Sequence, residues 1–333
     1  MRLVECVPNF SEGKDGRRID AIVRAISQLG VRVLHVDSGE SANRTVVTFV
    51  GQPNQVEAAA FEGVREASAQ IDMRSHTGTH PRMGATDVCP FIPIGDTALE
   101  DCVLISERVG ERVGRELKIP VYLYAESAKS ESRVRLPDIR RGQYEGLGAR
   151  IDDPEFQPDY GPVALNAKSG ATAIGGRRFL IAWNVNLDTK DVFIAKEIAR
   201  RLRTSGRWNP GSARIPGRFQ ALQGDGWYIE DFDKVQVTFN ILDHGRTPIA
   251  RVYEACKEEA ATLGASVTGS ELVGLVPGDA LLDAGRFYAN LTGSDAGDPL
   301  MLAAEHLGLN ELSPFDPKSR VVELAYETLA GST

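Results

Sequence analysis

Val31-Arg32-Val33-Leu34-His35-Val36-Asp37-Ser38-Gly39-Glu40-Ser41-Ala42-Asn43-Arg44-Thr45-Val46-Val47-Thr48-Phe49-Val50 reads as two strands joined by a turn. Val31–Asp37 and Thr45–Val50 are rich in β-branched residues, which suit a pleated surface, and the stretch between them is small and polar. Upstream, Leu3–Val7 is a short apolar run closed by Pro8. Ile19, Ile22, Val23, Ile26 and Leu29 then recur at helical spacing until Gly30 stops them. Downstream, Pro53 suits the first turn of a helix whose apolar face is Val56, Ala60, Val64 and Ala67. Val88–Ile94 follows as a strand, so the hairpin sits inside the order strand, helix, strand, strand, helix, strand.

Beyond it, Thr97-Ala98-Leu99-Glu100 reads as a capping box before a helix striped by Cys102, Ile105, Val109, Val113 and Leu117. Val121–Tyr124 reads as a further strand. From Asp152 to Gly176 periodicity disappears among prolines and glycines, and so long an irregular crossing predicts a functional loop that also links two parts. The opening order then returns. Phe179–Asn186, Gln220–Tyr228, Val235–Leu242 and Ser266–Val273 read as strands. Ile194, Ile198 and Leu202 mark one helix, and Ile249, Val252, Cys256 and Leu263 another, while Trp183 reads as core. The prediction is an α+β chain of duplicated ferredoxin-like βαββαβ subdomains, residues 1–178 and 179–333, with a cleft between them.

The 333 residues are 42% hydrophobic and 25% charged, which supports globular cores and excludes wholesale disorder. A net charge of −8 argues against a nucleic-acid surface but permits a local basic pocket for a small anion. Cys6, Cys89, Cys102 and Cys256 form no C-x-x-C pair and read as reduced core residues. The first residues lack a signal-peptide pattern, and no apolar run approaches the roughly 20 residues that span a bilayer. The expectation is a cytoplasmic protein with no membrane partner.

Two of the five histidines fall in Ser75-His76-Thr77-Gly78-Thr79-His80-Pro81-Arg82-Met83-Gly84. Histidine exchanges protons near neutral pH, and glycine, proline and the flanking Arg74 and Arg82 suit a loop that meets an anionic ligand. A metal reading would place His76 and His80 on one helix face. Gly78 and Pro81 oppose a helix, and no third ligand is evident, so acid–base chemistry at His80 is preferred and no metal is expected. His76 also reads as a residue bonded to loop backbone. Asp37, at a strand end, is either a turn residue or a carboxylate that orients a histidine. Asn9 follows the first strand and Asn43-Arg44 opens the third. If strand ends line one cleft, Arg44, Arg74 and Arg82 supply forked donors for carboxylates; singly, each is a surface group. Gly161–Gly176 lacks the ending of a phosphate loop, and its glycines serve either turns or a flat heterocycle.

Long strings resemble the glutamate formimidoyltransferase family, the transferase part of formimidoyltransferase-cyclodeaminase. They include Leu3-Val4-Glu5-Cys6-Val7-Pro8-Asn9-Phe10-Ser11-Glu12-Gly13, Asn43-Arg44-Thr45-Val46 and His80-Pro81-Arg82-Met83-Gly84-Ala85. Asp87-Val88-Cys89-Pro90-Phe91-Ile92-Pro93, Gly170-Ala171-Thr172-Ala173, Gly226-Trp227-Tyr228 and Leu272-Val273-Gly274-Leu275-Val276-Pro277 continue the match. The resemblance implies formimino transfer from N-formimino-L-glutamate to tetrahydrofolate, a step of histidine degradation, with tetrahydrofolate as co-substrate. It implies His80 and Asp37 as catalytic residues and a folate-binding stretch on Gly161–Gly170, where Gly161, Pro162 and Gly170 match while residues 163–169 differ from the animal pattern. Lys168, with Arg44 and Arg82, is a candidate for substrate carboxylates, and Ser169 lies in the same stretch. The chain's end implies no fused cyclodeaminase, and the family suggests a homodimer. Formyl transfer between 5-formyltetrahydrofolate and glutamate is the nearest alternative; a metal hydrolase and a non-catalytic folate binder are the others.

Overall fold

β1 (Arg2–Cys6), β2 (Asn9–Phe10), α1 (Gly16–Ser27), β3 (Arg32–Gly39), β4 (Arg44–Gly51), α2 (Pro53–Gln70) and β5 (Thr86–Gly95) succeed one another in the computed structural model. The structure describes residues 2–40, 42–78, 80–208, 211, 213–293 and 297–330, so Ser41 of the turn and Thr79 of the histidine loop lie outside the described residues. The chain divides into two compact units, Met1–Arg178 and Phe179–Thr333.

In the first unit β3 pairs with β4, and β4 and β5 flank β1, all antiparallel. Val7 and Pro8 interrupt that inner row, and β2 resumes it between the same two neighbours. α3 (Leu99–Arg112) precedes β6 (Val121–Leu123). α4 (Leu136–Ile139), α5 (Gln143–Arg150) and β7 (Thr172–Gly176) follow, and β7 and β6 extend the sheet in parallel beyond β5. α1 caps on Asp15, whose carboxylate accepts the Arg17 N–H at 3.0 Å. The apolar faces of α1 and α2 bury Ile22, Ile26, Val56, Phe61 and Val64 with Val4, Phe10, Phe49 and Phe91. Each such side chain is worth about 1.5–3 kcal/mol of burial.

Two local expectations shift. The box begins one residue later than read: the Asp101 carboxylate accepts the Ala98 N–H at 3.1 Å, and the Thr97 hydroxyl is buried without a partner among the described residues. β7 falls inside the stretch read as irregular. It is buried on both faces, so it shows no alternation, and a Cβ at Gly176 would lie 2.8 Å from the Val103 nitrogen of α3.

The second unit runs β8 (Ile181–Leu187), α6 (Val192–Leu202), β9 (Leu222–Ile229), β10 (Lys234–Ile241), α7 (Ile249–Thr262) and β11 (Val267–Val273). Its sheet order is β11-β8-β10-β9, with neighbours antiparallel. Trp183, Val185, Val237 and Phe239 pack against α6 and α7, and α8 (Gly278–Thr292) and α9 (Pro299–His306) join the same core. The architecture is mixed α and β on two sheets, consistent with α+β. All four cysteines are buried and unpaired.

Candidate active site

The sheet of the first unit puts polar residues in register. Asp37 on β3 faces Val46 on β4, which faces Asn9 on β2. Paired residues share a sheet face, and Arg44 lies two residues from Val46, so Asp37, Asn9 and Arg44 occupy one face. Val46 replaces any polar group between them, and β4 delivers Arg44 to the interior.

Arg44 is the hub. Its Nη1 is 2.9 Å from the Nδ1 of His80 and donates to Asp87 Oδ2 at 2.9 Å, while Nη2 donates to Asn9 Oδ1. Asp87 is fully buried at the start of β5. It also accepts the Met83 N–H at 3.0 Å and two N–H groups of Arg140, from the turn after α4. One buried carboxylate between two guanidiniums leaves the cluster with a net positive charge, and it links the two arginines through hydrogen bonds to both.

His80 Nδ1 also lies 2.7 Å from the Pro81 carbonyl oxygen. That oxygen needs a proton on Nδ1, whereas Arg44 needs the lone pair there, so the two neighbours favour opposite tautomers. Burial, then the Arg44 charge, pull the His80 pKa down to about 4. The imidazole is therefore neutral near pH 7 and able to accept a proton.

A second network adjoins it. His76 Nε2 lies 3.0 Å from the Asn43 carbonyl, and its Nδ1 accepts from Arg82 Nε at 3.2 Å. Both bonds fit one tautomer, with the proton on Nε2, so His76 is a brace for the loop. Asn43 accepts from the Gly13 N–H at 3.0 Å and donates to the Thr77 carbonyl at 2.7 Å. Arg82 is buried and forks onto Glu145 of α5, Nη1 to Oε2 at 2.9 Å and Nη2 to Oε1 at 2.6 Å.

The crossing reaches the loop at its far end. The Ala85 N–H donates to Ser169 O at 2.8 Å, the Ala171 N–H to Met83 O at 3.0 Å, and the Ser11 hydroxyl to Gly84 O at 2.7 Å. A Cβ at Gly84 would sit 2.1 Å from Ala171 O, so only glycine permits this approach.

The structure thus gathers Asn9, Arg44 and His80, with Asn43 and Arg82 alongside and Ser169 and Gly170 against the loop's exit. Gly161 and Pro162 instead line a hollow of about 380 Å³ with Gly114, Arg115, Lys118 and Tyr160. Exposed Lys168 donates to the Ala69 carbonyl at 2.8 Å. Asp37 is exposed on its edge strand, and among the described residues no hydrogen bond joins it to His80. Asp87 and Arg140 were missed as site residues. The signals for Asp87 were its place seven residues after His80 and at the head of the string Asp87-Val88-Cys89-Pro90-Phe91-Ile92-Pro93; Arg140 lies in a stretch without motif. Among the described residues no group of three His, Cys, Asp or Glu is placed to hold a metal ion, and no helix is long and apolar enough to cross a membrane.

Residues 3–177 match the family model of the formiminotransferase domain, N-terminal subdomain, and residues 182–327 match that of the formiminotransferase domain. The chain belongs to the formiminotransferase family. Within that family it is 49% identical over 327 residues to the formimidoyltransferase-cyclodeaminase of Rattus norvegicus, covering 97% of this chain and 59% of that protein. The chain therefore spans about three fifths of that relative's length. It is 43% identical over 303 residues to the glutamate formimidoyltransferase of Thermoplasma acidophilum, covering 90% of this chain and 96% of the relative. The glutamate formimidoyltransferase of Streptococcus pyogenes serotype M1 is 41% identical over 295 residues, covering 88% and 95%. This places the networks around His80 and Arg82 in the N-terminal subdomain of a formiminotransferase fold.

Proposed function

We propose that this chain transfers the formimino group of N-formimino-L-glutamate to N5 of tetrahydrofolate, its co-substrate, releasing L-glutamate. The carrying observation is its near full-length match to glutamate formimidoyltransferases. Neutral His80, held beside Arg44 in the N-terminal unit, supplies the acid–base group.

The donor is an amidinium, already electrophilic at carbon. N5 attacks that carbon to give a tetrahedral intermediate carrying the N5 proton. His80 takes this proton through Nε2, with Nδ1–H bonded to the Pro81 carbonyl. It then delivers the proton to the glutamate nitrogen; the C–N bond to glutamate breaks and the amidinium reforms on N5. An imidazolium of low pKa suits both halves, because the N5 ammonium is a strong acid and the leaving amine needs one. Positioned acid–base catalysis is worth roughly 10²–10⁴-fold. Alignment of two substrates can add effective molarities of about 10⁵–10⁸ M.

Asp37, on the sheet face of Arg44 and Asn9, balances the amidinium charge, and Arg44 and Arg82 meet substrate carboxylates. Asn9 and Asn43 hold the walls, and Gly161, Pro162, Lys168, Ser169 and Gly170 form the folate stretch. No metal enters the reaction. We read the two units as duplicated ferredoxin-like subdomains, supported by the matching strand orders β5-β1-β4-β3 and β11-β8-β10-β9. A cytoplasmic homodimer completes the reading. Offering N-formimino- and N-formylglutamate as competing donors tests it: formimino transfer should dominate, and preferential use of the formyl donor would replace it with the formyl alternative.

A further inference from the structure

Arg82 is a carboxylate socket already filled from within. Its side chain is 9% exposed, and all five of its N–H donors have partners. His76 takes two, through Nδ1 at 3.2 Å and its carbonyl oxygen at 3.3 Å, which fixes the guanidinium from behind. Gln143 takes one at 3.2 Å, and the Glu145 carboxylate takes the remaining pair in a parallel fork. The two partners differ sharply in setting, for the Glu145 side chain is 63% exposed.

Glu145 also follows a turn of unusual backbone. Gly142 and Gln143, at its start, both have left-handed backbone, with φ of +83° and +55°. Such a conformation is unfavourable for Gln143, which carries a Cβ. α5 has only eight residues, and two of them, Gly146 and Gly148, are poor helix formers. A Cβ at Gly146 would meet nothing within 4 Å, so packing does not demand glycine there.

We infer that Glu145 is a displaceable stand-in for a carboxylate of the glutamate half of the donor, which takes its place on Arg82, two residues from His80. This rests on the proposed transferase reading. The exchange leaves Arg82 fully paired, whereas withdrawing Glu145 alone would strand a buried charge. Free substrate thus competes with an internal carboxylate, and its apparent affinity is reduced by the fraction of sockets that Glu145 occupies. Because the Tyr144 N–H is bonded to the Arg82 carbonyl at 2.9 Å and Leu147 is buried, the exchange swings the Glu145 side chain outward and leaves α5 in place.

Glu145→Gln keeps the shape and removes the charge. Its expected effect is a fall of about fivefold or more in KM for formiminoglutamate, with the change in KM rather than kcat, and equally tighter calorimetric binding of L-glutamate. A KM and an L-glutamate affinity that are unchanged or weaker would show a permanent clasp and overturn the inference. The transferase reading fails separately, by absence of product from formiminoglutamate and tetrahydrofolate, while the L-glutamate measurements still decide the role of Glu145.

Discussion

Arg44 and Asp87 form a buried ion pair, Nη1 to Oδ2 at 2.9 Å, and the same nitrogen touches the imidazole of His80. The carboxylate reaches the histidine only through the guanidinium. The sequence leaves Asp37 open as either a turn residue or a carboxylate that orients a histidine; the charged group against His80 is instead an arginine, and burial together with that charge lowers the histidine's basicity.

Asp87→Asn should therefore damage the fold first. It leaves Arg44 and Arg140, both largely buried, facing a neutral amide. Breaking such a pair costs about 3–5 kcal/mol. Chemical denaturation should record a loss of that size, with the circular dichroism of the remaining native protein unchanged.

Asp37→Asn should behave in the opposite way. Asp37 is exposed and carries no structural contact to His80, so stability should move by less than about 0.5 kcal/mol. Loss of its charge beside the amidinium should lower kcat/KM by about tenfold or more, equivalent to ~1.4 kcal/mol of transition-state stabilisation. Steady-state kinetics with denaturation curves separate the two carboxylates.

The pH profile follows from the sign of the His80 shift. Burial and Arg44 favour the neutral ring down to about 4, and the neutral ring is the form proposed to act as the base. The acid limb that His80 imposes on kcat/KM should fall near pH 4, not near the ordinary histidine value of about 6.5. The same shift makes the unfolded chain bind the proton more readily. This contribution to stability is present above the unfolded pKa and is lost as pH falls toward about 4. A pH-jump assay, returning samples to one pH for readout, isolates the kinetic limb.

Gly84→Ala should separate the histidine loop from the crossing. The added Cβ meets Ala171 O at 2.1 Å and Ser169 O at 2.7 Å, and both are backbone atoms. The expected loss is about 2–3 kcal/mol, with weaker folate binding because Ser169 and Gly170 shift. Gly16→Ala, where a Cβ meets nothing within 4 Å, is the control.

The fold was legible where one face of an element is buried. α1 and α2 announced themselves by period and the β3–β4 hairpin by its β-branched residues around a polar turn, and the observed strand ends differ from the expected ones by a residue or two. β7 did not: like β5 it is covered on both faces, but β5 is a long apolar run, whereas β7 has five residues and two glycines that imitate a loop. Within the site, His80, Arg44 and Asn9 stood out by residue type beside strand ends. Arg140 and Glu145 could not, since each acts through a partner remote in sequence, Asp87 and Arg82, and a lone charged residue in a short polar stretch signals only a surface. The reading of His76 as a residue bonded to loop backbone holds at the Asn43 carbonyl, and its second bond, from Arg82, is what the sequence does not show.

The most direct measurement is the absorbance of 5-formiminotetrahydrofolate formed from formiminoglutamate and tetrahydrofolate in chelator-containing buffer, for the unaltered protein and for His80→Ala. The account predicts turnover with the former and a loss of roughly 10²-fold or more with the latter while folate still binds. Product formed equally well by His80→Ala would contradict the assignment of His80. No product from the unaltered protein would contradict the transferase itself.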